Sequence, residues 1–171
     1  MPKYRIKTIR DSYHKDSRGT VIRTYGKEQY KDKLMYNGKQ IEFVEDVVSK
    51  SNLGTTRGIH GDSVNHKLIT CLQGNVFIAA VDPISRRHSV FALNDFMGES
   101  LLIPPGIATG MSCLSEDCII SYKITAEYDN RKDDILIRWN DPRIKILWPT
   151  ISLHVSDKDK NIPLLGEREI E

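Results

Sequence analysis

From Glu42 to Pro149 the chain is cut by turn residues into short β-branched or aromatic runs, and no stretch carries long helical periodicity. Spacing of that kind leaves a sandwich or barrel as the fold, because each run is too short to bury itself without strand partners. The clearest run is "CIISYKIT": Cys118, Ile120, Tyr122 and Ile124 share one face, and Ile119, Ser121, Lys123 and Thr125 share the other. Tyr122 therefore belongs to the more apolar, inward face. "KLITCLQGNVFIAAVD" predicts two strands joined as a hairpin at Gln73-Gly74-Asn75, where glycine and asparagine tolerate positive φ. "IPPGIATGM", with two prolines and two glycines, predicts a rigid loop outside any sheet centre. After a turn at Asn140–Pro142, Ile144, Ile146 and Trp148 alternate onto one face. The polar segment Gly26–Gln40 predicts a short helix before a turn at Asn37-Gly38, and the charged tail from Ser156 reads as solvent-facing.

At 171 residues and 39% hydrophobic content, the chain has material for one core, so a single domain spanning 1–171 is expected. Twenty-five Lys plus Arg against 23 Asp plus Glu give a formal charge of +2, which supplies no field for bulk nucleic-acid or membrane binding. Any anion site must be local. The N-terminus is charged from its third residue and no later run approaches a membrane span, so a cytoplasmic protein is expected. Cys71, Cys113 and Cys118 form no CxxC pair and read as buried free thiols.

Few polar residues with chemical capacity lie among the apolar strand residues: Arg57, His60, Asp62, His66, Lys67 and Tyr122. Histidine accepts protons near neutrality, and tyrosine can return one to a developing carbanion. Together they point to proton transfer. The nucleophile elbow, P-loop and dinucleotide fingerprints are all absent from the sequence, so acyl and phosphoryl transfer have no support. "HGDSVNH" also offers His60, Asp62 and His66 as a two-histidine, one-carboxylate metal set, although the spacing is unlike the tight HxH or HxD of barrel oxygenases. His88 and His154, in polar surroundings, read as solvated.

Taken in order, "DSRG", "RGIH", "KL", "IPPG", "YK", "WNDP" and "SDKD" resemble the dTDP-4-dehydrorhamnose 3,5-epimerase family over most of the chain. The resemblance implies an all-β fold: a cupin-type double-stranded β-barrel, or jelly roll, with short peripheral helices. It also implies a homodimer that exchanges N-terminal strands, no metal or organic cofactor, and a nucleotide-diphosphate sugar as the substrate. By that resemblance His60 is the catalytic base, Asp159 its carboxylate partner and Tyr122 the acid on the opposite face of the sugar. Lys67 stands near the keto oxygen, and Arg57 and Arg18 hold the diphosphate.

The chain departs from the family pattern at several points. Ala108-Thr109-Gly110 replaces the usual "AHG", so a second histidine is missing; Glu45 and Val47 replace a glutamine and an asparagine; Arg23 replaces a glutamate; Gly61-Asp62 replaces a bulky residue and glutamine. Arg23 and Glu45 are therefore candidate contacts to the nucleotide and sugar, with thymidine, guanosine and cytidine as the candidate bases, and Gly61 and Asp62 are read as marks of a branch with its own substrate. The expected activity is 3- and/or 5-epimerisation of a nucleotide-linked 4-keto-6-deoxy sugar or 4-keto heptose in deoxysugar or polysaccharide biosynthesis. Two other readings compete: a metal-binding cupin acting as oxygenase or sensor, and a 4-keto sugar 3,4-isomerase, which "HGD" in place of "HxH" disfavours.

Overall fold

The computed structural model describes residues 7–10, 12–127, 135–149 and 154–166. Its first third holds β1 (Lys7–Arg10), β2 (Ser12–Asp16), β3 (Gly19–Arg23), α1 (Lys27–Tyr30), β4 (Met35–Tyr36), β5 (Lys39–Gln40) and β6 (Glu45–Ser51). The middle is all strand: β7 (Thr55–Gly61), β8 (Lys67–Gln73), β9 (Asn75–Val81), β10 (His88–Asn94), β11 (Glu99–Ile103), β12 (Ala108–Cys113) and β13 (Cys118–Ile124). β14 (Ile135–Leu136), β15 (His154–Val155) and α2 (Asp157–Lys160) complete it.

Two sheets result, one ordered β1-β11-β8-β13-β6 and the other β10-β9-β12-β7-β14, with β15 also paired to β7. The pattern is the jelly roll expected of a cupin-type barrel. Ile69, Leu101, Ile103 and Ile120 from the first sheet meet Val76, Ile78 and Met111 from the second in one buried cluster, onto which Tyr122 packs. The inward face of "CIISYKIT" is borne out: Cys118, Ile120 and Ile124 are buried. All three cysteines are buried free thiols. A second cluster, built from Tyr30, Leu34, Ile41, Leu68 and Leu102, seals the outside of the first sheet beneath the α1 segment. Lys123, on that outer face, pairs with Asp46 at 2.6 Å and lies over the Tyr25 ring.

Three local expectations change. Gly74 does turn the chain with a φ of +82°, yet β8 and β9 lie in different sheets, so it is a corner between layers and not a hairpin. The proline-rich loop ends at Ile107, and Ala108–Cys113 runs as a central strand between β9 and β7, where its small residues allow close lateral packing. Ile144, Ile146 and Trp148 do share a face, packing with Ile59 and Val81, but without forming a strand. The Asn37-Gly38 turn and the short helix before it are as expected.

Candidate active site

Arg57 and His60 are three residues apart on β7, so in a regular strand they would face opposite sides. They face the same cleft because the strand carries a bulge. Thr109 on β12 is opposite His60 and Met111 is opposite Arg57, so β7 spends one residue more than β12 over that interval. Gly58 lies in the bulge with a φ of +102°, and a Cβ there would stand 2.7 Å from the Thr109 carbonyl oxygen and 2.8 Å from Gly110 Cα. The residue between "R" and "IH" must therefore be glycine for backbone reasons.

The cleft, of about 250 Å³, is lined by Val47, Arg57, Gly58, His60, Lys67, Thr109, Tyr122 and Ile124. Beside the bulged β7, strand alternation turns the others inward: Tyr122 and Ile124 from β13, Lys67 from the start of β8, and Val47 from β6, in register with Tyr122.

His60 Nε2 meets Asp159 Oδ1 at 2.7 Å. Asp159 reaches it from the charged tail because β15 docks parallel on β7, and α2 then starts at Ser156, whose hydroxyl accepts the Asp159 N–H. Asp159 is 4% exposed, against the solvent-facing expectation for the tail as a whole. Burial alone would raise its pKa. The hydrogen bond and charge of His60, the Gly58 N–H and Ser156 outweigh that and hold the carboxyl below its ordinary value. An ionised carboxylate on Nε2 fixes the imidazole tautomer and leaves Nδ1 as the more basic nitrogen.

Tyr122 donates its hydroxyl to Met111 Sδ at 2.7 Å. Burial pushes its pKa up to about 12, against the opposing pull of Ser49 and Arg57, so the hydroxyl keeps its proton across the neutral range. Arg57 donates from Nε and Nη2 to the Ser51 hydroxyl, both at 3.1 Å, a neutral partner that leaves its charge for an anion. Lys67 Nζ lies 3.5 Å from Asp62 Oδ2.

The remaining candidates fall elsewhere. Arg18, 88% exposed at the tip of the β2–β3 hairpin, pairs with Asp16 at 2.6 Å. Arg23 donates to Gln29 at 3.2 Å. Among the described residues neither lines this chain's own cleft, and Glu45, at the start of β6, does not line it either. Val47 and Thr109, noted in the sequence as departures, do line it. Gly61 faces the backbone of β12, where a Cβ would be 2.7 Å from Ala108 Cα, so its smallness is a packing requirement. The trio His60, Asp62 and His66 is not assembled: Asp62 turns to Lys67, and His66 packs against Tyr36, ring centroids 4.6 Å apart. Among the described residues no group of three His, Cys, Asp or Glu side chains is placed to hold a metal ion. His88 and His154 are exposed.

An imidazole backed by a carboxylate, a protonated phenol, an ammonium and a guanidinium converge on one small cleft, which suits removal and return of a carbon-bound proton on an anionic substrate. The chain as a whole is similar to known proteins. A relative from Sinorhizobium fredii called dTDP-4-dehydrorhamnose 3,5-epimerase is 35% identical over 95% of this chain and 86% of its own length. One of the same name from Methanothermobacter thermautotrophicus is 31% identical over 95% of this chain and 90% of its own. The solved structure of a dTDP-6-deoxy-D-glucose-3,5-epimerase from Legionella pneumophila, in complex with dTDP-4-keto-L-rhamnose, superposes with a TM-score of 0.84 at 29% identity, covering 96% of this chain and 89% of that one. With the family's sequence profile matching residues 5–167, the chain belongs to the dTDP-4-dehydrorhamnose 3,5-epimerase family.

Proposed function

We propose that the protein inverts C3, C5 or both in a nucleotide-diphosphate-linked 4-keto-6-deoxy sugar, with His60 as base and Tyr122 as acid. Membership of the family makes it a carbohydrate epimerase, of the isomerase class. The observation that carries the residue assignment is the His60–Asp159 contact of 2.7 Å opening onto the cleft that Tyr122 and Lys67 also line.

A proton next to the C4 ketone is acidic because its loss gives an enolate. His60, with Nε2 held by Asp159, takes it on one face. The Lys67 ammonium stabilises the enolate oxygen as charge develops, and the Tyr122 hydroxyl returns a proton on the opposite face. Arg57, lining the same cleft, holds the diphosphate. Thr109, opposite His60 where relatives of the usual pattern carry histidine, offers a hydroxyl with no imidazole, which favours inversion at a single centre.

The assembly that fits this reading is a cytoplasmic homodimer. Support comes from the β2–β3 hairpin, which pairs with no other described strand. In such a dimer the hairpin would bring Arg18 and Arg23 to the partner's cleft. β1, by contrast, pairs with β11 of its own chain.

The test is incubation of the protein with dTDP-, GDP- and CDP-linked 4-keto-6-deoxy sugars in deuterated water, followed by NMR. Deuterium at C3 or C5 is expected with at least one of them. No incorporation from any would overturn the epimerase reading, and His60→Asn retaining full exchange would overturn the assignment of the base.

A further inference from the structure

An acidic residue directly after the segment that carries the base, buried in the turn out of β7, has to be explained by what it touches. Asp62 is buried. Its Oδ1 accepts the backbone N–H groups of Val64 and Asn65, at 2.9 and 2.5 Å, and its carbonyl accepts the Gly106 N–H at 2.8 Å. The next turn of chain is fastened as well, since Asn65 Oδ1 accepts the Ala126 N–H at 2.7 Å and the His66 N–H donates to Thr125 at 3.0 Å. With Oδ1 committed to the backbone, the carboxylate cannot rotate away, and Oδ2 is left directed at Lys67 Nζ, 3.5 Å off. The Lys67 side chain is only 17% exposed, so its flexible stem lies against the cleft wall and its position is decided by what holds its end.

We propose that Asp62 is a positioning residue for Lys67: a carboxylate locked to the backbone by one oxygen so that the other holds the ammonium at the place where enolate charge forms. The inference rests on the function proposed above for Lys67. It gives the site two carboxylate-backed groups, His60 on Asp159 and Lys67 on Asp62, one partner supplied by α2 and the other by the turn out of β7. The residue read from sequence as a mark of substrate choice acts, on this account, on the rate of the chemical step.

Asp62→Asn tests it, because the amide oxygen can keep both backbone hydrogen bonds while the group facing Lys67 loses its charge. Exchange at the sugar should slow about 10- to 100-fold in kcat, the scale of a misplaced catalytic group, with KM changed far less. In a Lys67→Met background the same substitution should add nothing, since Asp62 acts through Lys67. Acetic anhydride labelling read by mass spectrometry, with Lys31 as internal reference, should show Lys67 several-fold more reactive in Asp62→Asn than in the unaltered protein. Unchanged labelling overturns the pairing; faster labelling with unchanged kcat overturns the role in chemistry; an equal loss in the Lys67→Met background assigns Asp62 to the fold alone. If the unaltered protein exchanges no substrate, the proposed function falls, and labelling still judges the pairing.

Discussion

Asp159 and Tyr122 are each shaped for one protonation state, and the two environments work in opposite directions. Asp159 is held ionised by hydrogen bonds despite burial, while Tyr122 is held neutral by burial, with a pKa near 12. Replacing Asp159 by Asn keeps the shape and removes the charge that fixes the His60 tautomer. Exchange should fall about 10- to 100-fold, as for other partners that orient a working histidine. Its stability effect has a definite sign. A depressed folded pKa contributes stability in full above the ordinary value of 3.8 and loses it as pH falls through the lower folded value. Urea midpoints for Asp159→Asn should therefore converge on those of the unaltered protein as the solution is acidified. Tyr122→Phe should cut net epimerisation by about 100-fold or more, the usual share of a positioned acid, while deuterium still enters from the His60 side. Because the phenol stays protonated, raising pH from 7 to 10 should not remove its contribution. A loss of epimerisation with an apparent pKa in that interval that vanished in Tyr122→Phe would contradict the burial argument. Tyr122 was legible in the sequence from strict alternation, which needs only local pattern. Asp159 was legible only through the order of the motifs, because local pattern puts a carboxylate of a charged tail in solvent and its burial comes from the docking of β15 on a strand about a hundred residues earlier.

The elements explain why the site needs its glycine. A three-residue spacing of Arg57 and His60 conflicts with a two-residue strand period, and the bulge at Gly58 resolves the conflict by adding one residue against β12. Alanine at this position combines a φ of +102° with a Cβ driven into the Thr109 carbonyl. The expected cost is about 3 kcal/mol from strain and overpacking together. In a domain of this size that corresponds to a fall of roughly 6–12 °C in Tm, measurable by calorimetry. Catalysis should suffer beyond the stability loss, because any relief of the clash that straightens β7 turns Arg57 or His60 out of the cleft. The same level shows where reading by pattern stops. The strands of the middle segment were visible as apolar runs, yet Gly74 looked like a hairpin turn because a tight corner between sheets and a turn within one sheet use the same residue types. The run after Pro105 looked like loop because β12 holds a single β-branched residue, Thr109, among mostly small ones, although those small residues are what lets β12 fit between two neighbours.

At the scale of the molecule, the order of the short motifs made the family and fold legible, while the separation of Arg18 and Arg23 from the cleft did not show until the hairpin was placed. Motif matching assigns roles without saying which copy of the chain performs them. Within one chain the Arg18 guanidinium is satisfied by Asp16 at the hairpin tip, far more exposed than a diphosphate ligand working in a closed site would be. The proposed dimer removes that discrepancy by making each site from two chains, since a C2 assembly that exchanges a hairpin delivers the same residues reciprocally to both sites. Mixing tests this directly. A pure His60→Asn dimer lacks the base in both sites, and a pure Arg18→Ala, Arg23→Ala dimer lacks the arginines in both. In a hybrid, a shared site collects both defects on one side and leaves the other side intact. Co-refolding equal amounts of the two inactive proteins places about half of the chains in hybrids by random pairing, with one intact site in each. Activity should return to about a quarter of the unaltered level. If each chain keeps its own arginines at its own base, every site in every hybrid stays defective and mixing recovers nothing, a result that would return Arg18 and Arg23 to the role of surface ion partners.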